Sequence, residues 1–159
     1  MLKDLLNSFA SRGRVEWIGL RPARKAPMQV VETAVISENG LVGDRRENPG
    51  KRAITLVQME HLPVIAALAG LDNITPDLLR RNILVSGINL LALRHHEIKV
   101  GGVILRTTGL CAPCSYMEKT LGKGGYNAVR GHGGLTAEVV EGGEIAVGSI
   151  VEPLSRSSG

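Results

Sequence analysis

Hydrophobic positions along this chain fall into short runs broken by glycine, and few runs reach helical length. Leu2, Leu5, Leu6 and Phe9 recur at three- and four-residue spacing, which predicts an amphipathic helix over residues 2–10. Residues 15–20 alternate apolar and polar side chains like a strand that ends at Arg21-Pro22. Residues 29–36 are rich in β-branched side chains and predict one further strand before the turn at Glu38-Asn39-Gly40. Residues 53–57 read as a buried strand. A helical period over residues 58–69 (Met59, Leu62, Ile65, Ala66, Ala69) then stops at Gly70, with Pro63 delaying or bending its start. Thr75-Pro76-Asp77 predicts a second short helix, with a capping threonine ahead of proline. Strand character returns at residues 82–85, 97–100, 103–108, 136–140 and 150–153, with glycine pairs at 101-102, 133-134 and 142-143.

Many short strands with glycine corners predict a mixed α/β, mainly β fold centred on a β-barrel with a few helical insertions. A doubly wound sheet needs long strands alternating with long helices, and that rhythm is absent. The chain of 159 residues suits one domain over residues 15–153, preceded by a helical extension (1–14) and followed by a disordered tail (154–159). Aromatics make up only 3%, so Leu, Ile, Val and Ala must fill the core.

The formal charge of +4 permits an anionic small ligand but lacks the dense basic stripe or stacking aromatics of a nucleic-acid binder. No stretch approaches the roughly 20 apolar residues of a membrane span, and the N-terminus has no apolar signal core. Two cysteines make no disulfide framework. The expectation is a cytoplasmic protein that binds neither nucleic acid nor membrane.

Both cysteines lie in Cys111-Ala112-Pro113-Cys114, just after a predicted strand and Gly109-Leu110. As thiolates they are nucleophiles or soft metal ligands; as thiols they are small buried apolar residues. A thioredoxin-like pair needs a βαβ setting and structural zinc needs four ligands. Adjacent His95 and His96 point apart on a strand and no second Cys-x-x-Cys exists, so a single thiolate on a softer redox metal stays open. The polar segment 43–52 carries Arg45, Arg46, Lys51 and Arg52, residues that fit either phosphate or a solvated loop with local ion pairs. It is not a Walker loop. Arg80-Arg81-Asn82 either complements a helix C-terminus or places a guanidinium and an amide beside a ligand. His132-Gly133-Gly134 is a tight turn able to expose backbone donors. His61 and His132 read as ordinary hydrogen-bonded residues, and neither a His-Glu-x-x-His nor a Gly-x-Ser-x-Gly motif is present.

In order, these segments resemble the MOSC family, named for the C-terminal domain of molybdenum cofactor sulfurases. The matching stretches are Gly40-Leu41-Val42-Gly43-Asp44-Arg45, Arg52-Ala53-Ile54-Thr55-Leu56, Glu60, Arg81-Asn82-Ile83, Gly87-Ile88-Asn89-Leu90, residues 101–108, Cys111-Ala112-Pro113-Cys114, Arg130-Gly131-His132-Gly133-Gly134, Gly142-Gly143 and Val147-Gly148. The resemblance implies a barrel-centred fold that binds molybdenum cofactor or handles its sulfur. It implies Cys114 as the catalytic thiol and molybdenum ligand. It makes Arg45, Arg52, Arg81, Asn82, Cys111, Gly133 and Gly134 candidates to hold the pterin and its phosphate. In members that reduce N-hydroxylated compounds, Mo(IV) gives two electrons to an N–O bond and an external electron donor restores it. The alternatives are a sulfur carrier loaded with persulfide by a separate cysteine desulfurase, since this chain shows no pyridoxal-phosphate site, and a non-catalytic store or chaperone for the cofactor.

Overall fold

The structure is a computed structural model that describes residues 1–46 and 48–156. In chain order its elements are α1 (Leu2–Leu6), β1 (Gly13–Leu20), β2 (Gln29–Val31), β3 (Thr33–Ser37), β4 (Gly40–Leu41) and β5 (Ile54–Gln58). These are followed by α2 (Leu62–Ala69), β6 (Ile83–Ser86), β7 (His96–Val100), β8 (Val103–Leu110), α3 (Tyr116–Leu121) and α4 (Gly125–Val129). The last three are β9 (Leu135–Glu141), β10 (Gly143–Ala146) and β11 (Ile150–Arg156). Short 3-10 turns occupy Met59–His61, Pro76–Leu79 and Leu90–Leu93.

Seven strands close into a barrel in the order β11-β7-β8-β9-β5-β6-β1, and β1 pairs back onto β11. The expected mainly β, barrel-centred fold with a few short helices is therefore what the chain forms. Barrel pairs are antiparallel except β5 and β6, which run parallel because α2 provides the crossover between them. β2 extends the sheet beyond β1, while β3, β4 and β10 form a separate three-stranded sheet.

Strand alternation splits the hydrophobic residues into two cores. Ile54, Leu56, Ile83, Val85, Ile98, Leu105 and Val151 fill the barrel interior with their inward-facing neighbours. Val57 and Leu84 face outward and meet Ile65, Leu79, Met117, Leu121 and Val129 from the helical layer. β5 is thus buried on both faces, and all five of its residues are buried.

Several elements depart from the sequence expectation for local reasons. The helix expected over residues 2–10 ends at Leu6, and Phe9 leaves it to pack edge-on against His96, with ring centroids 5.7 Å apart. The strand expected over 29–36 divides at Glu32, whose carbonyl accepts the Val147 N–H, so its halves join different sheets. The helix expected from Gln58 begins as a 3-10 turn, with the α-helix proper placing Pro63 in its first turn. After Thr75 comes a 3-10 turn whose threonine makes no side-chain cap. The disordered tail expected over 154–159 is instead strand through Arg156, because Ser155 and Arg156 pair with Glu97 and His96 of β7; residues 157–159 of that expectation lie outside the described residues.

One buried polar hub locks β1, β5 and β6 to the segment after β4. The Asp44 carboxylate accepts from the Arg21 backbone N–H at 2.7 Å, from Arg21 Nη2 at 2.9 Å, from the Arg46 N–H at 3.1 Å and from Asn82 Nδ2 at 3.2 Å. Asn82 Nδ2 also donates to the Gly19 carbonyl (3.1 Å), and its Oδ1 accepts from Thr55 N and Oγ1, each at 3.2 Å. Every polar atom of both side chains has a partner, which is the condition for such a buried network to stabilise. Burial by itself raises the Asp44 pKa. The hydrogen bonds and charge of Arg21, with the Arg46 N–H, outweigh burial and hold the carboxyl below the ordinary range.

Replacing Asp44 with Ala is expected to cost about 3 kcal/mol, because it strands the Arg21 guanidinium and the Asn82 amide. As the folded-state pKa is depressed, this stabilisation is present above the unfolded value of about 3.9 and is lost as pH falls through the folded value. Urea unfolding at neutral and acid pH checks both points: the wild type should lose stability in acid more steeply than Asp44→Asn. Gly134 has φ +88°, and a Cβ there would lie 1.8 Å from the Leu56 carbonyl oxygen. Gly134→Ala should therefore lower the unfolding free energy by about 2–4 kcal/mol in the same assay.

Candidate functional site

β8 carries the cysteine motif to the end of the barrel. Its last residue, Leu110, pairs with Leu135 at the start of β9, and the Cys111 N–H then donates to the Gly134 carbonyl at 2.8 Å. That bond fixes where the chain leaves the sheet. Cys111 ends 6% exposed against the wall, whereas Cys114 is exposed and its carbonyl accepts the Met117 N–H at 3.0 Å to start α3. Both thiols are free.

The motif borders a cavity of about 640 Å³ between the barrel end and the segments after β1, after β4 and before β6. Its size falls within the range of small-molecule and cofactor sites. Among the described residues nine cationic side chains line it: Arg21, Arg24, Lys25, Arg45, Arg46, Arg52, Arg80, Arg81 and Lys119. Thr55, Cys111, Ala112, Cys114, Ser115 and Tyr116 are the other described residues of the wall, and no described carboxylate is among them. Asp44 sits behind the wall on Arg21, and the Glu118 carboxylate turns away to accept the Gly124 and Tyr126 N–H groups, each at 3.0 Å. Those bonds hold Glu118 below the ordinary glutamate range, that of Gly124 first.

Arg81 is a buried cation held by carbonyls. Nε donates to Gly133 O (2.8 Å), Nη1 to Leu79 O (3.1 Å), and Nη2 to Cys111 O (3.3 Å) and Ala112 O (3.1 Å). It thereby clamps the cysteine motif to the turn before β9. Burial lowers its pKa, the two cysteines oppose that, and Arg21 and Arg52 add to it. The charge of Arg81 thus faces both thiols and shares the cavity with other guanidinium groups.

The candidates chosen from sequence separate into two groups. Arg45, Arg52, Arg81, Cys111 and Cys114 come together on the cavity. Asn82, Gly133 and Gly134 stand behind it. Asn82 is the amide of the buried hub. A Cβ on Gly133 would approach the Cys111 carbonyl to 2.2 Å, so the two glycines allow the β9 turn to lie against the cysteine motif and β5. The structure adds Arg21, Arg24, Lys25, Arg80, Tyr116 and Lys119 to the wall. Arg80 was legible only as half of an arginine pair. Its guanidinium reaches across to the carbonyls of Ala23 and Ala26 and lies 6.0 Å from the centre of the Tyr116 ring. Outside the cavity, His61 and His132 form an edge-on pair with Nδ1 atoms 3.3 Å apart, and burial, then His132, lowers the His61 pKa.

Among the described residues no three His, Cys, Asp or Glu side chains converge on a point that would hold a metal ion. A metal at Cys114 would have to arrive with most of its ligands already attached. No helix among the described residues is long and apolar enough to cross a membrane.

Comparison with solved structures shows the same fold elsewhere. YuaD from Bacillus subtilis superposes with a TM-score of 0.81 at 19% identity, covering 93% of this chain and 99% of that one. YiiM from Geobacillus stearothermophilus gives 0.74 at 15% identity, covering 92% and 77%, and YiiM from Escherichia coli 0.72 at 17%, covering 92% and 72%. No curated protein matches the sequence. The family model for the MOSC domain matches residues 35–152, from β3 to β11, and with them the cavity segments 45–52, 80–81 and 111–119. The chain belongs to the MOSC domain family.

Proposed function

We propose that this protein binds molybdenum cofactor in the cationic cavity, with Cys114 as the protein ligand to the metal, and reduces N-hydroxylated compounds with electrons from an external donor. The observation that carries this reading is an exposed soft thiol on the wall of a 640 Å³ cavity that, among the described residues, is lined by cations and no carboxylate. Thiolate suits a soft redox metal, and guanidinium groups suit a phosphate ester. A metal brought in by a pterin dithiolene also fits a protein in which no donors converge among the described residues. A persulfide carrier, the alternative, needs the exposed thiol but not a cavity of this size.

When bound, the cofactor supplies the two electrons that, with two protons, convert an N–OH group to N–H and water. The chain supplies the setting. Arg81 fixes the cysteine motif through its carbonyls and keeps a positive charge behind both thiols. Arg45 and Arg52 hold the cofactor phosphate. Ser115, Tyr116 and Lys119 are protic groups on the wall beside Cys114, available to give a proton to the departing oxygen.

The test is molybdenum and pterin content after expression in a host that makes the cofactor. Wild type is expected to carry both in near-equimolar amounts. Cys114→Ala should lose molybdenum, and Cys111→Ala should retain it at some cost in stability. Equal loading and undiminished N-hydroxyl reduction in Cys114→Ala would overturn the proposal. A protein without metal that gains the mass of one sulfur atom on Cys114 after incubation with a cysteine desulfurase would establish the carrier reading instead.

A further inference from the structure

The cavity holds more positive charge than one phosphate ester can balance. Of its nine cations, Arg21 is committed to Asp44, Arg80 to the carbonyls of Ala23 and Ala26, and Arg81 to four carbonyls. The other six, Arg24, Lys25, Arg45, Arg46, Arg52 and Lys119, have no side-chain hydrogen bond or ion pair among the described residues. A phosphate monoester carries about two negative charges near neutral pH. Six like charges around one concavity repel one another, and a ligand that supplies the counter-charge relieves that repulsion.

These cations stand on different supports. Arg45, Arg46 and Arg52 follow β4, tied down by the buried Asp44 and by Thr108 Oγ1, which donates to the Lys51 carbonyl at 2.5 Å. Arg24 and Lys25 belong to the connection between β1 and β2, which no strand holds. Arg80 holds it instead, through the carbonyls on either side of that pair. The conformations are costly: Lys25 (φ 62°) and Arg80 (φ 58°) are two of the three positive-φ residues other than glycine among the described residues. A left-handed conformation at such residues persists where surrounding structure enforces it, and it concentrates at ligand clamps. A half-buried arginine thereby presents two exposed cations to the cavity.

We propose that the cavity has two anion subsites: one on the segment after β4 and a second, formed by Arg24 and Lys25, that takes an additional phosphate group. This rests on the cavity being the ligand site proposed above, and deepens it by naming the ligand class. The additional phosphate has two sources to distinguish: a nucleotide joined to the cofactor through a diphosphate, or the substrate itself, as a phosphorylated N-hydroxylated compound.

Calorimetric titration of the cofactor-free chain with inorganic phosphate, then inorganic pyrophosphate, at low ionic strength tests the subsites. Wild type should bind two phosphates. Arg24→Gln/Lys25→Gln should remove one and weaken pyrophosphate at least tenfold, and Arg45→Gln/Arg46→Gln should remove the other. Arg24 and Lys25 are exposed and unpaired among the described residues, so their exchange spares the fold. One phosphate per wild-type chain, or two that survive Arg24→Gln/Lys25→Gln, would overturn the proposal. Mass analysis of the pterin released from loaded protein separates the sources. A nucleotide-extended pterin assigns the second phosphate to the cofactor. A monophosphate pterin with one phosphate site still open in the loaded protein assigns it to the substrate, and a monophosphate pterin with no open site would also overturn the proposal. Two phosphate sites in a chain that never acquires molybdenum or pterin would uphold the subsites while removing the molybdenum reading.

Discussion

A single buried carboxylate organises the cavity end of this barrel. Asp44 is 2% exposed and accepts hydrogen bonds from Arg21, Arg46 and Asn82, so it joins the end of β1, the segment after β4 and the start of β6. Its charge does two things at once. It compensates Arg21, which would otherwise add to a crowded cationic wall, and it orders the backbone from which Arg45 and Arg46 project. A neutral residue here would remove the counter-charge and the scaffold together.

Around that anchor the site is assembled from groups chosen for opposite reasons. Arg81 and Asn82 are adjacent in sequence and both buried, yet Arg81 points to the cysteine motif and Asn82 to the hub, as alternation along an extended chain requires. Arginine serves as mortar, bridging carbonyls that no strand partner satisfies, in Arg80 and Arg81; in Arg24, Arg45 and Arg52 it lines the cavity with no side-chain partner among the described residues. The same residue type thus builds the wall and equips it. The price is self-repulsion, borne by a domain whose stability comes from two apolar cores that lie elsewhere.

Much of this was legible in the sequence, and the limits are physical. Glycine-punctuated short strands announce a barrel because corners and close approaches exclude a Cβ, as at Gly134 against Leu56. The cysteine motif and the arginines at 45, 52 and 81 carry their chemistry in residue type. Arg24 and Lys25 look like any solvated loop, because what brings them to the cavity is Arg80, 54 residues beyond Ala26. Asn82 looks like a ligand group for a similar reason: Asp44 and Thr55, the partners that use up its amide, are 38 and 27 residues away. α3 and α4, of six and five residues, are too short for a helical period and owe their form to packing beneath Leu79 and Val57.

The place where the barrel closes matters. β1 meets β11 at Gly13 with Val151 and Arg14 with Ile150, and just before β11 the Val15 N–H donates to the Ser149 carbonyl while the Val15 carbonyl accepts the Gly148 N–H. All of these lie near the start of the strand, whereas the cavity lies beyond its other end at Arg21. The molecule is therefore asymmetric in its cohesion, with a backbone clasp at one pole and the charged hub at the other. Transient unfastening of the clasp would loosen the N-terminal segment and leave the thiol's surroundings in place. A protein of this size can thus breathe at one pole without disturbing the cavity at the other.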